Sequence, residues 1–224
     1  MMNYNALAID GPAAAGKSTV AKLLAKRLGY IYIDTGAMYR AATYKAILLK
    51  IDLNDPDAFS FLDNTKMDFH DGELYVDGEN ISQKIRTHQV SNNVSLVSSH
   101  ISVRNKLVAI QQQIAKQANV VMDGRDIGTV VLPHADLKIF MTASVEERAR
   151  RRHEENLLTG IESEYNRILK DIEKRDKFDS TRIYNPLRQA EDALYLDTTT
   201  LDINKVTDNI YEQFIAIINA KRSE

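Results

Sequence analysis

The chain has 224 residues, 44% of them hydrophobic and 27% charged, with a formal net charge of -2. That is the make-up of an ordinary globular domain with room for one modest insertion, and it excludes whole-molecule attraction to nucleic acid or to an anionic membrane. There is no cysteine, so neither a disulfide framework nor a thiolate metal site is open to it. The opening residues carry no basic and apolar export signal, and no apolar run approaches membrane-spanning length, which makes the cytoplasm the expected compartment.

Residues 6–10 (ALAID) read as a buried strand. It runs into Gly11, Pro12, Ala13, Ala14, Ala15, Gly16, Lys17, Ser18 and Thr19, the pattern G-x-x-x-x-G-K-[ST] placed between a strand and a helix. In that context the glycines turn backbone N–H groups inward onto phosphates at the positive end of a helix, Lys17 reaches the β and γ phosphates of a nucleoside triphosphate, and Ser18 is the magnesium ligand. A guanine-specific switch would normally add N-K-x-D; the nearest match, NKLV from Asn105, lacks the aspartate. A kinase or another ATPase remains.

Residues 18–29 have helical periodicity and close on Gly29, and 30–34 (YIYID) form a second strand. Thr35 is expected to cap the next helix, with Tyr39 and Arg40 about one turn inside it, facing the cleft above the strand ends; an ordinary capped helix with a solvated arginine would use the same residues. Residues 66–82 break the pattern. Their two Asp-Gly pairs, Asp71-Gly72 and Asp77-Gly78, predict three short antiparallel strands, either a decorative flap or a functional one.

The third strand, 119–123, ends in DGRDIG, which sets Asp123, Arg125 and Asp126 where an open α/β sheet places its ligands. The fourth is 137–141. On the helix after it, Arg148, Arg151 and Arg152 share one stripe, with Glu147 and Glu155 placed to neutralise Arg151; a solvated helix would look the same. Further on, Arg175, Asp179 and Arg182 share a face, and a lone carboxylate between two arginines suits a sugar hydroxyl beside a charged ligand. A fifth strand at 193–197 and an amphipathic helix from about Asn204 complete the chain. The expected fold is α/β: a three-layer P-loop architecture with a five-stranded parallel sheet, a lid and an antiparallel insertion. None of the histidines, His70, His88, His100, His134 and His153, shows ligand spacing.

Read together, DGPAAAGKST, IDTGAMYR, IRTHQVS, DGRDIGTVVLPHADLKIFMTAS, EERARRR and LYLDTT resemble the bacterial cytidylate kinases of the long type, in order and over nearly the whole chain. The resemblance implies one domain over 1–224. Its core would be 1–34, 101–145 and 185–224, its acceptor-binding part 35–100 with hairpins at about 66–82, and its lid about 148–182. It implies ATP, Mg2+, CMP and dCMP as ligands, no nucleic-acid or membrane partner, and a monomer. By resemblance Tyr39, Arg40 and Arg125 hold the CMP phosphate, Ser95, Arg104, Asp126 and Arg182 surround cytosine, and Arg175 and Asp179 meet the ribose. Arg148 to Arg152 cover the triphosphate, and Lys17, Arg40, Arg125 and Arg152 carry the catalysis. Thr35 stands where many members have serine, keeping the hydroxyl. Kinases for UMP, dTMP or an alcohol, and a regulatory ATP-binding protein, are the alternatives.

Overall fold

The computed structural model describes residues 4–158 and 160–223. Five parallel strands form the central sheet: β1 (Ala6–Asp10), β2 (Ile31–Asp34), β6 (Val120–Gly124), β7 (Leu137–Thr142) and β8 (Leu194–Asp197), in the spatial order β2-β6-β1-β7-β8. All five expected strands are present to within a residue or two at their ends. β1 is central and wholly buried, as its continuous apolar run requires of a parallel strand covered on both faces.

Alternate residues of β1 feed two cores. Leu7 and Ile9 pack with Val20 and Leu24 of α1 (Lys17–Leu28) and with Ile210 and Phe214 of α7 (Ile203–Arg222). Ala6 and Ala8 face the other way, toward Met38 and Ala42 of α2 (Thr35–Leu48) and Val103 and Leu107 of α4 (Ile101–Ala115). Two-residue periodicity in the strand thus meets 3.6-residue periodicity in the helices on both sides, giving three layers.

The insertion is the antiparallel unit that its turns predict: β3 (Met67–His70), β4 (Glu73–Val76) and β5 (Glu79–Asn80), in that order. Asp71 and Gly72 have φ of 52 and 76°, and Asp77 and Gly78 have 51 and 86°. Two successive left-handed residues are what two-residue hairpin turns need, and Asp-Gly supplies them at low cost. Leu74 and Val76 join the same core as α2, so the insertion is packed rather than pendant. Helix α3 (His88–Ser99) precedes α4, while α5 (Val145–Leu158) and α6 (Tyr165–Thr181) form a helical hairpin over the carboxyl ends of the strands.

Candidate active site

The loop between β1 and α1 is held so tightly that Gly11 has no room for a side chain. A Cβ on Gly11, whose φ is +148°, would stand 1.9 Å from the carbonyl oxygen of Met141 on β7. Ala14 is also left-handed, with φ 59°, a strained backbone of the kind that collects at ligand sites. Lys17 folds back, its Nζ donating to the Pro12 carbonyl at 2.7 Å while the side chain is 95% buried. Burial, and next the Arg125 guanidinium, lower its ammonium to about 7.

Three strands bring an aspartate to their carboxyl ends, Asp10 and Asp34 as the last residue and Asp123 as the last but one. Parallel register sets Asp34 beside Asp123 and Asp10 beside Gly124. Asp10 accepts the backbone N–H groups of Ile127 and Gly128 at 2.8 and 2.7 Å, anchoring the wide helical turn at Ile127–Val131; burial nevertheless pushes it up to about 6. Asp123 accepts from Ser18 Oγ at 2.9 Å and from the Tyr32 hydroxyl at 2.8 Å, and burial and then Asp34 raise it above the ordinary carboxylate range. Burial works against the charge of Asp34 too, but the Arg40 guanidinium, at 2.8 Å, and the Ala37 N–H together outweigh it and hold that carboxyl low. Here the sequence expectation for Thr35 is corrected. Asp34 caps α2 by accepting from Ala37 N at 2.8 Å, and Thr35, already inside the helix, donates its hydroxyl to the Asp123 carbonyl at 2.7 Å.

A second cluster joins residues from α2, α4, α6 and the segment after β6. Arg104 of α4 pairs with Asp126 after β6, both almost fully buried. Arg182 lies 3.7 Å from Asp126 and 3.9 Å from Asp179. Asp179 in turn accepts from Arg125 Nε at 2.9 Å and lies 3.9 Å from Arg175 Nε. Burial, followed by Arg125, lowers Arg175 to about 10. Tyr39 places its ring 5.2 Å from the Arg104 guanidinium carbon. The Tyr39 hydroxyl and the Nε atoms of Arg40, Arg104 and Arg175 are buried without a hydrogen-bond partner. Ser95 is half-buried on α3, and the structure makes no side-chain hydrogen bond between it and this cluster.

Arg148, Arg151 and Arg152 of α5 do not form one solvated stripe. Arg148 is 4% exposed, donating to Asp176 at 2.6 Å, to Ala143 O at 2.9 Å and to the loop carbonyl of Ala13 at 3.2 Å. Arg151 donates to Glu147 at 2.8 Å and to Thr198 O at 2.6 Å, and its Nη1 would lie 3.7 Å from a Cβ on Gly16. Arg152, 44% exposed, pairs with Glu155 at 3.5 Å, so Glu155 neutralises Arg152 rather than Arg151. A contrast follows for stability. Arg148→Ala leaves Asp176 and two carbonyls short of a donor and is expected to cost about 2 kcal/mol, several degrees in Tm. Arg152→Ala should stay within about 0.5 kcal/mol, because exposed pairs contribute little. Thermal unfolding of the two variants checks this; equal losses would mean that Arg148 is not held as described.

Asp10, Tyr32, Asp34 and Asp176 were not among the residues singled out from sequence. One signal was available: three buried strands, ALAID, YIYID and NVVMD, each end in aspartate, and a carboxylate at the end of a buried strand needs a partner or a ligand.

The sequence profile of the family described as cytidylate kinase matches residues 7–216. The chain belongs to the cytidylate kinase family. It is 54% identical over 217 residues to the cytidylate kinase of Geobacillus sp. (strain WCH70), covering 95% of this chain and 97% of that one. With the cytidylate kinase of Bacillus subtilis (strain 168) it shares 52% over 211 residues, 92% and 94% of the two chains. Two solved structures share the fold at much lower identity. A protein from Eubacterium ventriosum superposes with a TM-score of 0.52 at 12% identity, covering 94% of this chain and 98% of that one. A gluconokinase from Sinorhizobium meliloti 1021 does so at 0.50 and 14%, covering 97% and 95%. This member of the cytidylate kinase family thus aligns with these two relatives over more than nine-tenths of its length.

Proposed function

We infer that the chain transfers the γ-phosphoryl group of ATP to CMP, and to dCMP, giving ADP and CDP or dCDP. The observation that carries this reading is the buried chain of opposite charges from Arg104 through Asp126, Arg182 and Asp179 to Arg125 and Arg175, next to a phosphate loop. Such a cluster is costly without an anion to share its cations. A nucleoside monophosphate offers one: its phosphate suits Arg40, Arg125 and Tyr39, its ribose Arg175 and Asp179, and its base Asp126, Arg104, Arg182 and Ser95. A regulatory ATP-binding protein would have no use for so many arginines beyond the loop.

In this reading an oxygen of the CMP phosphate attacks Pγ. The bond from Pγ to the β–γ bridging oxygen breaks, and ADP leaves with that electron pair. The attacking oxygen is already anionic, so no general base is required, and catalysis rests on positioning and charge neutralisation. Lys17 and Arg152 serve the donor side, with Gly11 to Thr19, Arg148 and Arg151 around the triphosphate. The α5–α6 hairpin, about 148–182, is the lid, and 35–100 the acceptor part; both close when the two nucleotides are present, which keeps water from taking the phosphoryl group.

Magnesium fits. No group of three or more candidate ligands among His, Cys, Asp and Glu is found among the described residues, but this ion takes most of its ligands from water and phosphate. Ser18 and Asp123, oxygen donors 2.9 Å apart in a carboxylate-rich pocket, would hold it. When bound, the ion would supply positive charge to the β and γ phosphates. We take the enzyme to work as a monomer in the cytoplasm; no helix among the described residues is long and apolar enough to cross a membrane.

A side-by-side coupled assay of CMP, dCMP, UMP and AMP tests the reading: CMP and dCMP should be turned over well ahead of the others. ADP release that no acceptor accelerates would overturn it. A pH dependence should accompany binding. Lys17 in the free protein sits at about 7, and phosphates would pull it back toward its ordinary 10.5, so ATP binds with proton uptake above neutrality. Affinity should be greatest below pH 7 and fall by up to about tenfold per unit above it. Calorimetry in buffers of different ionisation heat measures the uptake, and a flat profile would count against it.

A further inference from the structure

We propose that Tyr32 is a positioning residue for the nucleotide–metal end of this site, and that the β3–β4 turn of the insertion braces it; the proposal rests on the ATP and magnesium reading above. Tyr32 is the second residue of β2, 5% exposed, with its ring in the core shared by α1 and β1. Its Cα is level with Val121, so the phenol runs along the neighbouring strand to reach Asp123, two residues further on. There the hydroxyl donates to Asp123 Oδ1 at 2.8 Å, while Oδ2 accepts from Ser18 Oγ at 2.9 Å. Thr35 fixes the backbone of the same residue by donating to its carbonyl at 2.7 Å.

Each end of Asp123 is thus held by a different element: one oxygen by β2, the other by the first turn of α1, the carbonyl by α2. The terminal torsion of an aspartate is broad, so backbone alone does not decide how the carboxylate plane is turned toward Ser18. A single donor on Oδ1 does decide it, and it leaves Oδ2 on the phosphate-loop side. Partners of this kind, behind a metal ligand, commonly tune metal affinity by a factor of ten or more. Burial keeps the phenol protonated far above neutrality, so it remains a donor throughout the working range.

The β3–β4 turn lies beside the outer side of the ring: Gly72, Glu73 and Leu74 share a small pocket with Tyr32, and a Cβ added at Gly72 would meet Tyr32 Cδ1 at 3.6 Å. Lys22 places its Nζ 5.7 Å from the ring centroid. The insertion carries neither a carboxylate of the central trio nor a residue of the phosphate loop, yet it lies against the site at the Tyr32 ring, in a pocket that Asp34 and Arg40 also line.

The test is ADP binding by calorimetry, with magnesium and with EDTA, on the full chain and on Tyr32→Phe, which keeps the ring and removes the hydroxyl. In the unaltered protein magnesium should tighten ADP binding; in Tyr32→Phe that gain should shrink about tenfold, with the EDTA affinity and CMP binding within about twofold of the original. Ligand-induced Tm shifts, each taken from the variant's own ligand-free Tm, give a second readout that a simple loss of stability would not move. Gly72→Val, which leaves Tyr32 in place but strains the turn, should reduce the magnesium gain in the same direction by about two- to threefold. An unchanged magnesium gain in Tyr32→Phe, or equal weakening with and without magnesium, overturns the role of the hydroxyl; no effect of Gly72→Val overturns the brace. If the unaltered protein shows no magnesium gain at all, the ATP and magnesium reading fails and the proposal fails with it.

Discussion

Lys17→Ala is expected to lower kcat by well over a hundredfold while leaving Tm unchanged or slightly higher. The loss in rate is that of a preorganised cation removed from the transferring phosphoryl group. The stability side follows from the ligand-free site. There the ammonium is buried, spends a hydrogen bond on the Pro12 carbonyl, and lies near Arg125. A lysine whose folded value is lowered to about 7 from an ordinary 10.5 makes folding harder at every pH below the unfolded value, fully so below 7. Alanine removes that cost together with the chemistry. Single-turnover kinetics beside thermal unfolding at pH 7 decides it; a folded variant that keeps its rate would remove Lys17 from the mechanism.

Asp126→Ala is expected to act on specificity and stability together. Cytosine presents a 4-amino donor where uracil presents a carbonyl, and an ionised carboxylate can only accept. Beside that edge Asp126 favours CMP by a charge-assisted bond and opposes UMP by facing one acceptor with another. The variant should lose at least about a hundredfold in kcat/KM for CMP and far less for UMP, compressing the ratio between them. It should also be less stable by about 3 kcal/mol, since Arg104 is left buried with only the Ser98 carbonyl as acceptor. Asp126→Asn keeps the volume and offers both a donor and an acceptor, so it should relax the ratio at a smaller stability loss. Parallel kcat/KM measurements on CMP and UMP are the check. Equal loss on both substrates would mean that Asp126 orients Arg125 and that the base is read elsewhere.

The sequence made the frame legible because its periods are unmixed. Strand-length apolar runs, a phosphate loop, and two Asp-Gly pairs each have one easy structural solution, and the five parallel strands and the separate hairpin sheet are those solutions. What stayed hidden depended on distance in sequence. Thr35 has the chemistry of a cap, but Asp34 is one residue closer to the helix start and its carboxylate reaches Ala37 N, which frees Thr35 to bind across to β6. The α5 arginines share a helical face by spacing, yet Arg148 is turned inward because Asp176, on another helix, and the Ala13 carbonyl meet it there. Helical geometry says which residues are neighbours along one rod; it does not say which rod lies alongside. Spacing alone points Arg175 and Asp179 at a sugar hydroxyl, whereas Ser95 and the base contacts carry no local signal and are legible only through family resemblance.

The strand order has a consequence for how the chain comes to be folded at all. β1 is flanked only by β6 and β7, and β2 only by β6, with Ala6 paired to Val120 and Ile31 to the same residue. No two strands of the central sheet that are made before residue 120 are partners of one another. At about 5–20 residues per second, a ribosome leaves ALAID and YIYID without edges to join for roughly ten seconds, while a hairpin such as β3–β4 closes in microseconds once it emerges. The first half of the protein therefore waits, with two strands of the central sheet unpaired, for β6 to arrive, and that interval is when nascent-chain chaperones have something to hold.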